Sequence, residues 1–462
     1  MNNFSKKKKW IWILVLTVVT FILLMVSIAH IIDRDGGLSL GGVIKADTLY
    51  LISWFLILIP IILAALAVVM IFGTDRRGDS GEEIPQIVVQ TAETEKKAED
   101  KPTGERFCML CEIDRRSGGY GHRYYGKGIT LESFCESFRN YAASRLKLYY
   151  DIEDIRAFVA GLAVSRLVIL QGMSGTGKTS LAHAFGSFVD NSSTVIPVQP
   201  MWKERTDLIG YYNEFTKRFN ETLLLEKMYE ANYSRDMYIT VLDEMNIARV
   251  EYYFAEFLSL LERPNPEERY LEVVSDKWYS DPVGLKDGRV KLPENMWFVG
   301  TANNDDSTFA ISDKVYDRAM ILDLDTKSER FAAPMTEKCP ISAEQFERLA
   351  EGAQKEYSIS RRNIKRLEEL DKYLIDHFHI TFGNRIMKQI RTYIPVYVSC
   401  GGDELRALDD ILSKKVMRKL ETQNPIYLRN SAEGLLSYID ELFGADKMPM
   451  CRDKINRLLR NA

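Results

Sequence analysis

Three short stretches carry residue types whose spacing could do chemistry. The first is GMSGTGKTS: Gly172, Met173, Ser174, Gly175, Thr176, Gly177, Lys178, Thr179 and Ser180. Its form is Gly, four variable residues, then Gly-Lys-Thr. Glycines at these places let backbone N–H groups turn inward around phosphate oxygens. A helix that starts at the lysine adds a favourable field for an anion. Lys178 would reach the β- and γ-phosphates of a nucleotide, and Thr179 would ligate Mg2+. The second stretch, YITVLDE, ends in Asp243 and Glu244. Asp243 can hold Mg2+ through water, and Glu244 can polarise an attacking water. The third, WFVGTANNDDSTF at 297–309, is an apolar run that stops in two asparagines and two aspartates. Such a cluster can bind a metal, sense a nucleotide, or turn the chain.

These side chains need elements to position them. The β-branched run 167–170 predicts a strand before the glycine loop, with a helix from Lys178. The runs 238–242 and 296–301 predict two more buried strands. Catalytic and metal-binding carboxylates collect at strand ends in such sheets. From 151 to 325 short apolar strands alternate with helices, the pattern of an α/β domain with a parallel sheet. Residues 326–462 read as an α-helical lid and further helices, with amphipathic spacing in RRNIKRLEELDKYLIDHFHI and ELRALDDILSKKVMRKLE. No repeat at solenoid periods is present.

The first third of the chain is different. Of the 462 residues, 10–32 and 49–72 contain no Asp, Glu, Lys or Arg. About 20 apolar residues suffice to cross a bilayer core, so two transmembrane helices are expected. Pro60 inside the second is tolerated in a membrane helix. The first run is longer than a signal-peptide core and lacks a small-residue cleavage site, so it reads as a retained span. Lysines 6–9 precede the first span, and Arg76 and Arg77 follow the second. The positive-inside rule then places both termini in the cytoplasm, with residues 1–9 inside and 33–48 as a short external loop. Residues 73–106 read as a flexible tether and 107–150 as an accessory segment. All six cysteines follow the second span, in what would be a reducing compartment, so disulfides are not expected. Cys108 and Cys111 have the spacing of half a zinc site that Cys135 and His122 could complete; ordinary thiols are the default reading. The net charge of −4 argues against a nucleic-acid-binding surface spread over the whole chain.

Taken together, residues 151–419 resemble the AAA+ ATPases, in particular the helix-2-insert clade with its McrB-like, MoxR-like and dynein-related members. The stretch around TDLIGYY, 206–212, looks like that clade's helix-2 insertion, and RYLEVVSDKW with DGRVKLPENMWFVGTAN looks like its pre-sensor hairpin. The resemblance implies that both insertions face a central pore. It implies that Asn303 is the sensor that contacts the γ-phosphate or attacking water, that Arg318 is presented to a neighbouring subunit, and that Arg385 is the lid's second sensor. Asn303 and Asp306 have the N-x-x-D spacing of McrB-like GTPases, but Ser307 replaces the arginine that follows there. ATP with Mg2+ is therefore the expected cofactor, with GTP the alternative. Asp306 is expected to shape or cap the following turn or to contact an adjacent subunit, and Mg2+ already has Thr179 and Asp243, so no second metal is expected at Asp305 and Asp306. The expected protein is a membrane-anchored ATPase, a homo-hexamer by analogy, that remodels an unidentified protein partner. A McrB-type GTPase acting with a separate nuclease, and a slow nucleotide-switched membrane scaffold, are the competing readings; nucleic acid as a partner is left open.

Overall fold

The computed structural model describes residues 105–119, 124–303, 308–325 and 328–461. The expected spans at 10–32 and 49–72, nearly all of the tether, His122, Asp305, Asp306 and Ser307 lie outside the described residues. Among the described residues no helix is long and apolar enough to cross a membrane.

The described chain begins with α1 (Met109–Arg116), α2 (Leu131–Leu146) and α3 (Ile152–Val164). Next come β1 (Leu167–Gly172), α4 (Lys178–Phe188), β2 (Thr194–Pro197) and the short α5 (Thr206–Ile209). They are followed by β3 (Gly210–Asn213), β4 (Arg218–Glu221), α6 (Leu223–Ala231) and β5 (Tyr238–Asp243). After α7 (Val250–Tyr253) and α8 (Ala255–Leu261) come β6 (Tyr270–Glu272), β7 (Arg289–Lys291) and β8 (Met296–Asn303). The α/β part closes with α9 (Asp313–Tyr316) and β9 (Met320–Asp323). The rest is helical: α10 (Ala343–Glu356), α11 (Arg361–Phe378), α12 (Gly383–Ser399), α13 (Glu404–Lys415), α14 (Pro425–Phe443) and α15 (Pro449–Asn461).

The central sheet is parallel, in the order β2-β5-β8-β1-β9. Every residue of β1 and β8 is buried, as expected for inner strands covered on both faces. Successive side chains point to opposite faces, and the sequence uses both. Val168, Leu170, Trp297 and Val299 join a core with α2, α3, α4 and the C-terminal helices. Leu167, Ile169, Met296 and Phe298 join a second core with α1, α6, α8 and the two hairpins β3–β4 and β6–β7. The expected insertions are thus both hairpins on the face away from the helical lid.

The accessory segment is not a separate appendage, and the last residue assigned to the tether is not flexible. Arg106 is fully buried. Its guanidinium donates to Asp281 and Asp276 at 2.7 and 2.8 Å and lies 4.5 Å from the centroid of the Trp278 ring. Its carbonyl accepts from Phe219 N at 2.8 Å, and the Phe107 and Phe219 rings stack at 4.9 Å. The Glu221 carboxylate accepts from the amides of Cys108, Met109 and Leu110 at 2.8–2.9 Å, which satisfies orphan donors at the start of α1. Asp114, near the other end of α1, accepts from the hydroxyls of Tyr229 and Tyr233 and from Val283 N. One segment therefore ties β4, α6 and the β6–β7 loop together. Removing one partner from such a buried ion pair typically costs about 3–5 kcal/mol.

Candidate functional site

The site is assembled by strand register. β8 lies between β1 and β5, with Asn303 opposite Gly172 and Gly300 opposite Leu242. The three strands therefore end on one edge, and whatever follows β1, β5 and β8 converges there.

Gly172 ends β1 with φ +141°, and a Cβ there would stand 2.4 Å from the Leu324 carbonyl oxygen. Gly177 caps α4 at φ +95°, beneath Tyr150, whose hydroxyl donates to the Gly177 carbonyl at 3.0 Å. Burial pushes the Tyr150 hydroxyl up, so it remains a donor at any ordinary pH. Met173, Ser174, Gly175 and Thr176 form the loop between, with Thr176 Oγ1 donating to the Met173 carbonyl at 3.0 Å. Lys178 is buried, and its Nζ donates to the carbonyls of Gly172 and Met173 at 3.0 and 2.8 Å. Lys178, Thr179 and Ser180 form the first turn of α4. A cavity of about 440 Å3 opens beside the loop, lined by Tyr149, Tyr150, Gly175, Gly177, Ser328 and Arg330.

The carboxylates stand across from this loop. Thr179 Oγ1 and Thr301 Oγ1 both donate to Asp243 Oδ1, at 2.7 and 2.9 Å. Thr301 Oγ1 also accepts from Glu244 N at 2.9 Å, so one hydroxyl ties the two acidic residues together. Glu244 itself adopts φ 55°, a left-handed turn that takes it out of the strand. Asn303 Nδ2 donates to Glu244 Oε1 at 2.8 Å. Asn303 Oδ1 is buried with no hydrogen-bond partner among the described residues. An orphaned buried acceptor is costly and calls for a donor. A water beside Asn303 Oδ1 would supply one. The Thr179 hydroxyl and the Asp243 carboxylate are hard oxygen donors already in contact, a set that fits Mg2+. Asn246 locks the asparagine backbone: its Nδ2 donates to the Asn303 carbonyl at 2.9 Å, and its Oδ1 accepts from Asn303 N at 3.3 Å.

Arg318 and Arg385 are not at this edge. The Arg318 carbonyl accepts from Ser165 Oγ at 2.8 Å, just before β1 begins. Both arginines line a cavity of about 750 Å3 with Ser165, Arg166 and Leu167. β1 separates that cavity from the glycine loop by about 17 Å at 3.3 Å per residue. The structure thus does not bring Arg385 to the phosphate loop of its own chain, where a lid sensor would contact its own nucleotide. The reason is that α12 packs against α3, whose end lies at the start of β1. Arg318 pairs neither with Asp313 nor with Asp317, the partners its neighbourhood in sequence suggests. Its Nη2 binds Glu262 Oε2 at 2.5 Å, and Arg385 binds Oε1 of the same carboxylate.

Sequence reasoning passed over Thr301, Asn246, Tyr150, Glu262 and Lys415, because each acts through a partner distant in the chain. Cys108, Cys111 and Cys135 do not converge. Cys108 is exposed, Cys111 donates to the Ser280 carbonyl at 3.8 Å, and Cys135 is buried in the other layer. Among the described residues no three His, Cys, Asp or Glu side chains are grouped to hold a metal.

Lys415, on α13, donates to the Tyr316 carbonyl at 2.7 Å and to the Ala319 carbonyl, so it grips the backbone on both sides of Arg318. Burial, aided by nearby Arg418, Lys419 and Arg385 and opposed by Asp317, lowers its pKa from 10.5 to about 7. Between these values the unfolded chain holds a proton that the folded chain does not, so this residue makes stability rise with pH from about 7 to 10.5. In Lys415→Met that increment is absent. Thermal unfolding midpoints of wild type minus variant should rise across that window; a constant difference would refute the assignment.

Residues 167–319 match the AAA domain family of the dynein-related subfamily. Residues 330–462 match a domain of unknown function, DUF8727. No curated protein matches the chain. Similar solved structures include a provisionally assigned ATPase from Cytophaga hutchinsonii, at 13% identity and TM-score 0.37, covering 76% of this chain and 96% of that one. A full-length MCM homolog from Methanopyrus kandleri is 10% identical at TM-score 0.34, covering 68% of this chain and 58% of that one. The glycine loop and the paired acidic residues lie within the segment that matches this AAA family, and together they support a nucleotide-binding AAA domain at residues 167–319.

Proposed function

We propose that the chain is an ATPase anchored in a membrane by 10–32 and 49–72, with its AAA domain in the cytoplasm. Copies assemble as a ring, a hexamer by analogy, and couple ATP hydrolysis to remodelling of a partner protein. The observation that carries the hydrolytic reading is the Asn303–Glu244 bond beside the Thr179–Asp243 contact. A site that only bound nucleotide would have no use for a carboxylate held against an amide whose buried oxygen is left without a partner.

The residues divide the work. The base and ribose occupy the cavity at Tyr149, Tyr150, Ser328 and Arg330, and the triphosphate lies on the loop amides. Lys178 exchanges its two carbonyl partners for β- and γ-phosphate oxygens. Thr179 and Asp243 would hold Mg2+, which supplies positive charge to the phosphate oxygens. Glu244 orients a water and draws one proton from it, while Asn303 Oδ1 accepts a hydrogen bond from the O–H that remains. Arg318 lies too far from its own loop to act there. It acts on the nucleotide of a neighbouring copy, where a guanidinium stabilises the charge that develops on the γ-phosphate. Arg385 on the same carboxylate extends that surface to the lid.

The two hairpins support contact with a partner. Phe215 on the β3–β4 turn and Tyr279 in the β6–β7 loop are fully exposed aromatics. The Arg106 segment braces both hairpins against one another, so they would move as a unit.

In the full chain purified in detergent, Glu244→Gln should bind ATP as wild type does and lose about 100-fold or more of its hydrolysis. Normal turnover would remove Glu244 from the chemistry. The membrane part has its own check. Protease added outside intact cells should leave the AAA domain uncut, and its digestion would overturn the orientation.

A further inference from the structure

Glu262 follows α8 directly and lies at the edge of the chain that carries Arg318. Its two carboxylate oxygens are shared out: Oε2 to Arg318 Nη2 at 2.5 Å and Oε1 to Arg385. One carboxylate thereby bridges two guanidinium groups that come from different parts of the fold, the α/β domain and the lid, and leaves the trio with a net positive charge. The surrounding cavity of about 750 Å3 also holds Arg166, Arg269 and Lys388. Glu262 is about a third exposed, so solvent reaches the ion pair.

Two further atoms at this place lack partners. Arg318 Nε is a buried donor, and Gln389 Oε1 a buried acceptor, with no hydrogen bond among the described residues. Gln389 lines the same cavity and is itself anchored, its Nε2 donating to the Asp317 carbonyl at 3.1 Å. The cavity therefore has five basic side chains against Glu262, Glu294 and Glu347, with Glu347 on Arg166, and it keeps unspent hydrogen-bonding capacity beside Arg318. A guanidinium pair placed to take two oxygens of one anion suits a terminal phosphate at least as well as a carboxylate.

We propose that Glu262 is an electrostatic latch that occupies Arg318 and Arg385 in the isolated chain, and that the γ-phosphate of a nucleoside triphosphate carried by a neighbouring copy displaces it. This rests on the reading that Arg318 acts across a subunit interface. The latch makes docking of the next copy conditional on a bound triphosphate: a diphosphate, ending one phosphate short, leaves the carboxylate in place. A carboxylate that merely positions the arginines makes the opposite prediction, since its loss would then misplace them.

The test is hydrolysis of ATP with Mg2+ by the full chain in detergent, measured as rate per chain against protein concentration. Glu262→Gln keeps the shape and removes the charge. It should reach half-maximal rate at about fivefold lower concentration than wild type, the equivalent of one partly exposed ion pair, with no loss of maximal rate. Glu262→Asp keeps the charge but cannot reach both arginines, so it should shift the same way by less; it carries the test if the glutamine variant does not fold. A lower maximal rate, or an unchanged half-maximal concentration, overturns the latch. Arg318→Ala separates the two layers of the argument. If it is inactive while Glu262→Gln shows no shift, only the latch fails; if it is fully active, the reading across the interface fails and takes the latch with it.

Discussion

The site depends on the in-register burial of β8 between β1 and β5. Because Asn303 stands opposite Gly172 and Gly300 opposite Leu242, three chain segments that are far apart in sequence end on one edge. The register is held by side chains that fit only one way. Gly300 has no room for a Cβ, which would stand 2.0 Å from Met245 Sδ, and Thr301 then falls where its hydroxyl bridges Asp243 and the Glu244 amide. A shift by one residue would turn Thr301 away and bring an apolar neighbour to the carboxylates.

The same sheet separates two tasks. On one face the C-terminal helices pack on α3 and reach the backbone around Arg318 through Lys415 and Gln389. On the other face the hairpins are tied to one another by the Arg106 segment. The nucleotide-facing edge touches both layers through β1 and β8, whose alternate side chains enter each core.

Much of this was legible in the sequence. The glycine loop is contiguous, and the buried strands announce themselves as runs of Ile, Val, Leu and Phe between acidic or glycine endings. Helices such as α11 and α13 follow from apolar spacing, and the structure adds Ser360 and Asp403 as side-chain caps at their starts. Less accessible were features made by pairs distant in the chain. Arg106 reads as part of a charged tether until Asp276, Asp281 and Trp278 fold around it. Arg385 reads as the lid's second sensor, and only the packing of α12 on α3 shows that it lies at the other end of β1 from its own glycine loop. Glu262 has no local signature at all, because its meaning comes from Arg318 and Arg385 together.

The central claim is that each hydrolytic site is made by two copies, one giving Lys178, Glu244 and Asn303, the other Arg318. Mixing full-length Arg318→Ala and Lys178→Ala chains tests this most directly. Each alone should be inactive, and the mixture should hydrolyse ATP, because an intact loop then meets an intact arginine from its neighbour. A mixture as inactive as its parts, in rings proven to contain both variants, would contradict the account.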